Sequence, residues 1–143
     1  MNIWVSGCFD LLHEGHIKLL WYAKLFENND IPLYLKKNKL FVGLESDLRV
    51  KMFKGSKRPI NDIGTRMTVL SNLKMVDSVV IINDDDDLKY FLTKFEIDYI
   101  VTGDHYRDKV FVGGELAKNG IVYYPTNGHS TTNIIERIRK FNV

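Results

Sequence analysis

The sequence predicts an α/β fold: one parallel sheet of about five strands with helices on both faces. Three observations carry that expectation. Short β-branched runs alternate with segments of helical apolar spacing along the chain. One run, Ser78–Ile82 (SVVII), is continuously apolar, the type expected of a strand covered on both faces. The 143 residues read as one domain, 1–143, with no repeat and no low-complexity tract. Such a chain buries about two-thirds of the surface it exposes when unfolded.

The elements follow in order. Asn2–Ser6 (NIWVS) reads as a strand stopped by Gly7. Ile17, Leu19, Leu20, Ala23 and Phe26 recur at helical spacing, so a helix runs from about Gly15 to Phe26. Residues 28–39 (NNDIPLYLKKNK) are long for a helix-to-strand connection and read as a surface insertion, with a dimer or substrate lid as the alternative. Leu40–Leu44 is the next strand, and residues 46–61 read as a polar, basic, irregular loop ending in Arg58-Pro59. A helix from about Asp62 to Leu73 places Met67, Leu70 and Leu73 on one face. After Ser78–Ile82, Asp84–Asp87 open a helix through Phe95, where acidic residues suit the positive end of the dipole. Tyr99–Thr102 and Ile121–Tyr124 are strands around a short helix at 113–119, and the last helix runs from about Thr131 to Phe141.

Composition excludes several function classes. Apolar residues at 45%, charged residues at 27% and aromatics at 12% describe an ordered globular chain. No apolar run reaches the roughly 18 residues of a membrane span, and the N-terminus lacks a signal-peptide pattern. The single cysteine, Cys8, makes no internal disulfide, which fits a reducing, cytoplasmic setting. Twenty Lys+Arg against 18 Asp+Glu leave a net charge of +2 with no basic tail, which argues against coating nucleic acid. Any anion must be met at a local site.

Two segments have the chemistry of such a site. Gly7-Cys8-Phe9-Asp10-Leu11-Leu12-His13-Glu14-Gly15-His16 joins the first strand to the first helix. A glycine turn before a helix N-terminus offers free backbone N–H groups and a favourable dipole to an anion. His13 and His16, three apart, fall on one side of a helical turn, where two imidazoles could donate to oxygens gaining charge. The same spacing suits capping histidines or metal ligands. Ser130-Thr131-Thr132 opens the last helix after Asn127-Gly128-His129, and small hydroxyl residues there cap a helix or add anion-binding groups.

The first segment resembles the HxGH signature of the nucleotidyltransferase superfamily, which includes the glycerol-3-phosphate cytidylyltransferases, the heptose-1-phosphate adenylyltransferases and the pantetheine-phosphate adenylyltransferases. NGHSTTNIIERI resembles the family's second signature, the xxGxSTT segment. With both signatures in order at opposite ends, the resemblance covers nearly the whole chain and implies a Rossmann-like domain. The segment Ser46–Asn61 (SDLRVKMFKGSKRPIN) with Arg66, and Gly113-Gly114-Glu115, resemble the heptose type. Thr102-Gly103-Asp104-His105-Tyr106 is similar to the glycerol type, where GDDW stands, although His105 replaces an acidic residue. Pro125 replaces the arginine that opens the RTEGISTT of that type, so the mixture leans to the adenylyl side.

The resemblance implies transfer of a nucleotidyl group from a triphosphate, ATP favoured, to a sugar phosphate such as a heptose 1-phosphate, with release of pyrophosphate. CTP with glycerol 3-phosphate or another polyol phosphate is the alternative. His13, His16, Lys51, Ser130 and Thr131 take the catalytic roles in this expectation. Gly7, Cys8, Phe9, Asp10, Gly15, Gly103, Asp104, Thr126, Gly128, His129 and Thr132 bind the nucleotide, and Lys54 and Arg58 contact the acceptor. No protein metal site is expected. Mg²⁺ would be held by triphosphate oxygens and water, and the resemblance implies a homodimer. Two other classes compete, a non-catalytic nucleotide sensor and a metal-dependent hydrolase built on the four histidines.

Overall fold

The computed structural model describes residues 1–26 and 38–141. Five strands, β1 (Asn2–Gly7), β2 (Lys39–Glu45), β3 (Ser78–Ile82), β4 (Tyr99–Gly103) and β5 (Ile121–Tyr124), form one sheet in the order β3-β2-β1-β4-β5. Every pairing is parallel. The helices are α1 (Glu14–Lys24), α2 (Asp47–Lys54), α3 (Ile63–Ser71), α4 (Asp85–Lys94) and α5 (Thr131–Phe141).

Alternation along β1 divides the core. Ile3 and Val5 point to one face and pack with Leu20 and Ala23 of α1 and Leu70 of α3. Trp4 points to the other and packs with Leu88 and Leu92 of α4, Ile97 and Ala117. Helices thus cover both faces, as the alternation of elements predicts. The chain fills one side of β1 with β2 and β3, then returns to the other side for β4 and β5. The order therefore reverses between β1 and β4, and in open parallel sheets the crevice at the carboxyl ends of such strands is where ligands sit.

β3 lies at the sheet edge and is still covered on both faces, Val79 packing into one half of the core and Val80 and Ile82 into the other, with Ile81 39% exposed. Three expectations change. Residues 46–61 are not wholly irregular: Ser46 caps α2, its side chain accepting from the Arg49 N–H at 3.2 Å. That helix has no apolar stripe to betray it, because only Val50 is buried. The helix at 113–119 shrinks to a 3-10 turn at Gly114–Leu116, with Gly113 in the left-handed region (φ 79°) before it. The first helix stops at Lys24, two residues short of Phe26.

Of the 28–39 connection, residues 28–37 lie outside the described residues. Its far end is pinned: Asn38 is buried and donates to the Phe26 carbonyl at 2.7 Å, and Lys24 donates to the Asn38 carbonyl at 2.8 Å. Among the described residues, no helix is long and apolar enough to cross a membrane.

Candidate active site

β1 runs into Cys8–His13, where the backbone enters the left-handed region at Phe9 (φ 49°) and Leu11 (φ 47°). Large side chains in that conformation cost roughly 1–3 kcal/mol each, so the surroundings must over-determine it. Asp10 between them does this. Its side chain is fully buried and accepts from the N–H groups of Ile60 (2.6 Å) and Asn61 (2.9 Å) and from Nε of Arg58 (3.3 Å). The residue expected to bind nucleotide spends its carboxylate strapping the 58–61 segment to the β1–α1 loop, the expected phosphate loop.

The two signature histidines cap α1 with each other. His13 Nδ1 accepts from the Gly15 N–H at 3.1 Å, and His16 Nδ1 accepts from the His13 N–H at 3.2 Å. This is a capping box with imidazoles in place of the usual hydroxyl and carboxylate. The rings stack with centroids 3.8 Å apart. Because each Nδ1 is an acceptor, the ring proton of each neutral imidazole sits on Nε2. Burial lowers both pKa values, and neighbouring charge adds to it: His16 falls to about 3, His13 shifts the same way. Near neutral pH both rings are uncharged donors. Capping uses one nitrogen of each ring and leaves the other for the cavity they line.

The second signature docks onto the first. Ser130 Oγ accepts from the Asn133 N–H at 3.1 Å and caps α5. Thr131 is buried and donates its hydroxyl proton to the Asp10 carbonyl at 2.7 Å, which ties the start of α5 to the phosphate loop. His129 Nε2 lies 3.7 Å from Glu14 Oε2. Gly15 makes this approach possible: a Cβ there would stand 2.7 Å from His129 Cβ and 2.9 Å from His13 Cε1. Asn127 (φ 42°) and Gly128 (φ 74°) supply the left-handed turn that brings the chain in.

Together these segments enclose a cavity of about 460 Å³ at the carboxyl ends of β1 and β4, a size typical of small-molecule sites. Gly7, Cys8, Phe9, Asp10, His13, Gly15 and His16 line it from the first signature, and Thr126, His129, Ser130, Thr131 and Thr132 from the second. Lys54, Arg58, Gly103 and His105 complete it from the middle of the chain. The His105 ring packs against Gly103, where a Cβ would stand 2.6 Å from His105 Cε1. Burial pushes the Cys8 thiol up, so it stays protonated. Arg58 Nη2 is buried and has no partner among the described residues.

Three of the expected residues lie off the cavity wall. Lys51 is exposed on α2, and Lys54 in the last turn of that helix lines the cavity instead. The Lys54 charge also helps hold the His16 pKa down. Asp104 turns to Thr126, accepting from its Oγ1 at 2.9 Å and its N–H at 3.3 Å, bonds that hold its carboxyl below the usual range. Gly128 contributes its backbone turn rather than a wall.

Comparison with known proteins decides the family. The family model described as cytidylyltransferase-like matches residues 4–137, nearly the whole chain. The chain belongs to the cytidylyltransferase-like family. This is the nucleotidyltransferase group that its two signatures resemble. Among its relatives, the bifunctional protein HldE of Campylobacter concisus is 42% identical over 137 residues. That match takes in 96% of this chain and 27% of the relative. HldE of Nitratiruptor sp. is 41% identical and HldE of Helicobacter pylori (strain Shi470) 38%, each over 138 residues with the same coverage. The chain thus spans about a quarter of the length of these relatives. The crystal structure of a lipopolysaccharide core biosynthesis protein from Thermoplasma volcanium shares the fold, with a TM-score of 0.58 at 22% identity. The match covers 100% of this chain and 89% of that one.

Within this cytidylyltransferase-like site, the heptose-like pattern included Arg66 and Asp47, but sequence reasoning assigned neither of them a role. Arg66 is 1% exposed and donates to the carbonyls of Cys8, Glu45 and Asn61 and to Asp47 Oδ1. A signal existed: Arg66 stands four residues before Leu70, on the apolar face of α3.

Proposed function

We propose that this domain transfers the adenylyl group of ATP to a sugar phosphate of the heptose 1-phosphate kind. The observation that carries the reading is the pair of neutral imidazoles, each capped through Nδ1 and left with an Nε2–H on one cavity wall. Such donors suit a triphosphate whose oxygens gain charge as the reaction proceeds. Family membership supports the nucleotidyl transfer. The likeness to HldE proteins and the heptose-type pattern of Ser46–Asn61 support the acceptor class.

In this reading a phosphate oxygen of the acceptor attacks the α-phosphorus of ATP. A new P–O bond forms as the bond to the β-phosphate oxygen breaks, and pyrophosphate carries away the electron pair. No enzyme nucleophile is needed, which agrees with a Cys8 thiol held protonated. His13 and His16 donate from Nε2 to phosphate oxygens. Ser130, whose oxygen caps α5, keeps its own proton to donate, and Thr131 fixes the helix start. Lys54 and Arg58 draw the two anionic substrates together, and alignment with charge stabilisation supplies the rate. Mg²⁺ enters with the triphosphate as part of the substrate. Among the described residues no group of three His, Cys, Asp or Glu side chains is placed to hold a metal. A homodimer in the cytoplasm completes the proposal.

The test is a screen for pyrophosphate release with Mg²⁺, each of four triphosphates and a panel of sugar and polyol phosphates. ATP with a sugar 1-phosphate is the expected pair. CTP with a polyol phosphate would overturn the substrate assignment. Tight triphosphate binding by calorimetry without any turnover would make the domain a sensor.

A further inference from the structure

Lys54 reaches the cavity from a helix that the core barely holds. α2 has eight residues and one buried side chain, Val50. Leu48, Met52 and Phe53 are 71%, 74% and 66% exposed. A helix this short does not persist by itself, so its position depends on what grips its ends. At the amino end the grip is ionic. Asp47 Oδ1, in the first turn, accepts from Arg66 Nη2 at 2.6 Å. The same guanidinium donates through Nη1 to the carbonyls of Cys8 and Glu45, both at 2.8 Å, and through Nε to the Asn61 carbonyl at 3.0 Å. One buried cation thus joins the phosphate loop, the end of β2, the start of α2 and the segment bearing Arg58. The other ion pair on α2, Arg49 with Asp85 at 2.8 Å, has a half-exposed carboxylate, where solvent screens the attraction.

We propose that Arg66, acting through Asp47, is a positioning residue that sets Lys54 against the phosphate loop. Three of its bonds join the β1–α1 loop, the end of β2 and the segment bearing Arg58, and the fourth holds the helix that carries Lys54. The Asp47 bond separates the two tasks, because removing that carboxylate leaves the three carbonyl bonds in place. The Asp47 side chain is 34% exposed, so water can satisfy the freed Nη2–H, and the fold tolerates the change. The kinetic half of this inference rests on the transfer reaction proposed above. The structural half does not.

The experiment uses Asp47→Ala, Asp47→Asn, Lys54→Ala and the Asp47→Ala/Lys54→Ala double variant. Hydrogen exchange comes first. In Asp47→Ala the amides of Val50–Lys54 should exchange at least about tenfold faster, while those of β1 and α1 keep their protection. Asp47→Asn, which keeps an oxygen acceptor, should fall between this variant and the wild type. In turnover, Asp47→Ala should lower kcat/KM about tenfold in the wild-type background and less than about twofold in the Lys54→Ala background, the non-additivity of two residues acting as one unit. Additive losses would overturn the proposal. Equal protection of α2 in Asp47→Ala and wild type would overturn it too, as would faster exchange throughout the molecule, which marks a general brace. If the wild type turns over no substrate pair, the transfer reading fails and the exchange result still decides this one.

Discussion

At the start of α1 the cavity wall is made of stacked rings, a reciprocal cap and a glycine with no room for a methyl group. On α2 the wall is a cation on a thinly packed helix, gripped at its amino end by one buried guanidinium. In the proposed transfer reaction the difference matches two tasks. Donors aimed at developing charge work best when they need no reorganisation. A cation that gathers two anionic substrates gains from a position that can adjust as they arrive. Substitutions at the rigid wall should therefore reduce the rate, and substitutions at the adjustable wall should weaken substrate capture.

The largest effect is expected from His16→Asn. The asparagine carbonyl can keep the acceptor that caps His13, while the Nε2–H is lost. The kcat should fall about 100-fold to 1000-fold, near 3 kcal/mol, the scale for one lost oxyanion donor. The melting temperature should drop only slightly. A kcat within threefold of wild type would remove His16 from the chemistry and leave it as a cap.

Gly15→Ala tests the rigidity itself, because two physical effects oppose each other there. Alanine favours a helix over glycine by about 1 kcal/mol. A Cβ 2.7 Å from His129 Cβ forces the two signatures apart, and overpacking typically costs about 1–3 kcal/mol. The clash should win: thermal unfolding should occur earlier, and kcat/KM should fall about tenfold. A more stable, fully active variant would mean that the two signatures have slack between them.

Lys54→Ala and Lys51→Ala test the adjustable wall. Lys54→Ala should raise KM for the phosphorylated acceptor about tenfold, or about 1.4 kcal/mol, with a smaller change in kcat. Lys51→Ala should stay within twofold in both. Steady-state kinetics with the acceptor varied separates them, and a reversed ranking would move the cation of the site back to Lys51.

The rigid wall was legible in the sequence and the adjustable one was not. Both signatures announce themselves by residue type and short spacing, and the last helix falls at Thr131–Phe141 as expected. β3 and β5 have the predicted bounds as well. The missed features are long-range. Asp10 meets partners about 50 residues away, and Arg66 meets Cys8 at a separation of 58. No local period encodes such a pair. α2 escaped because an exposed helix shows no apolar stripe, and the choice between Lys51 and Lys54 depends on the register of that helix.

The smallest predicted effect reads the rigid wall through stability rather than rate. Burial and the neighbouring His13 and Lys54 charges push the His16 pKa down to about 3 in the folded protein, from an ordinary 6.5. The unfolded chain therefore binds a proton at this site that the folded chain refuses. A lowered histidine pKa stabilises nothing extra on acidification: stability is greatest above pH 6.5 and declines as pH falls below it. Between pH 7 and pH 6 the His16 share of that loss is about 0.7 kcal/mol, or about 2–3 °C in melting temperature for a chain of this size. His13 and His105 shift in the same direction, chiefly by burial, and add to the slope. The carboxylates with lowered pKa values, such as Asp77 and Asp104, stay ionised in both states across this window and contribute no slope there. Melting curves at pH 7 and pH 6 should show a smaller difference for His16→Asn than for the wild type. Equal differences would mean that His16 titrates alike in the folded and unfolded chain, and a larger difference for His16→Asn would mean that it carries its proton when folded and acts as a charged donor.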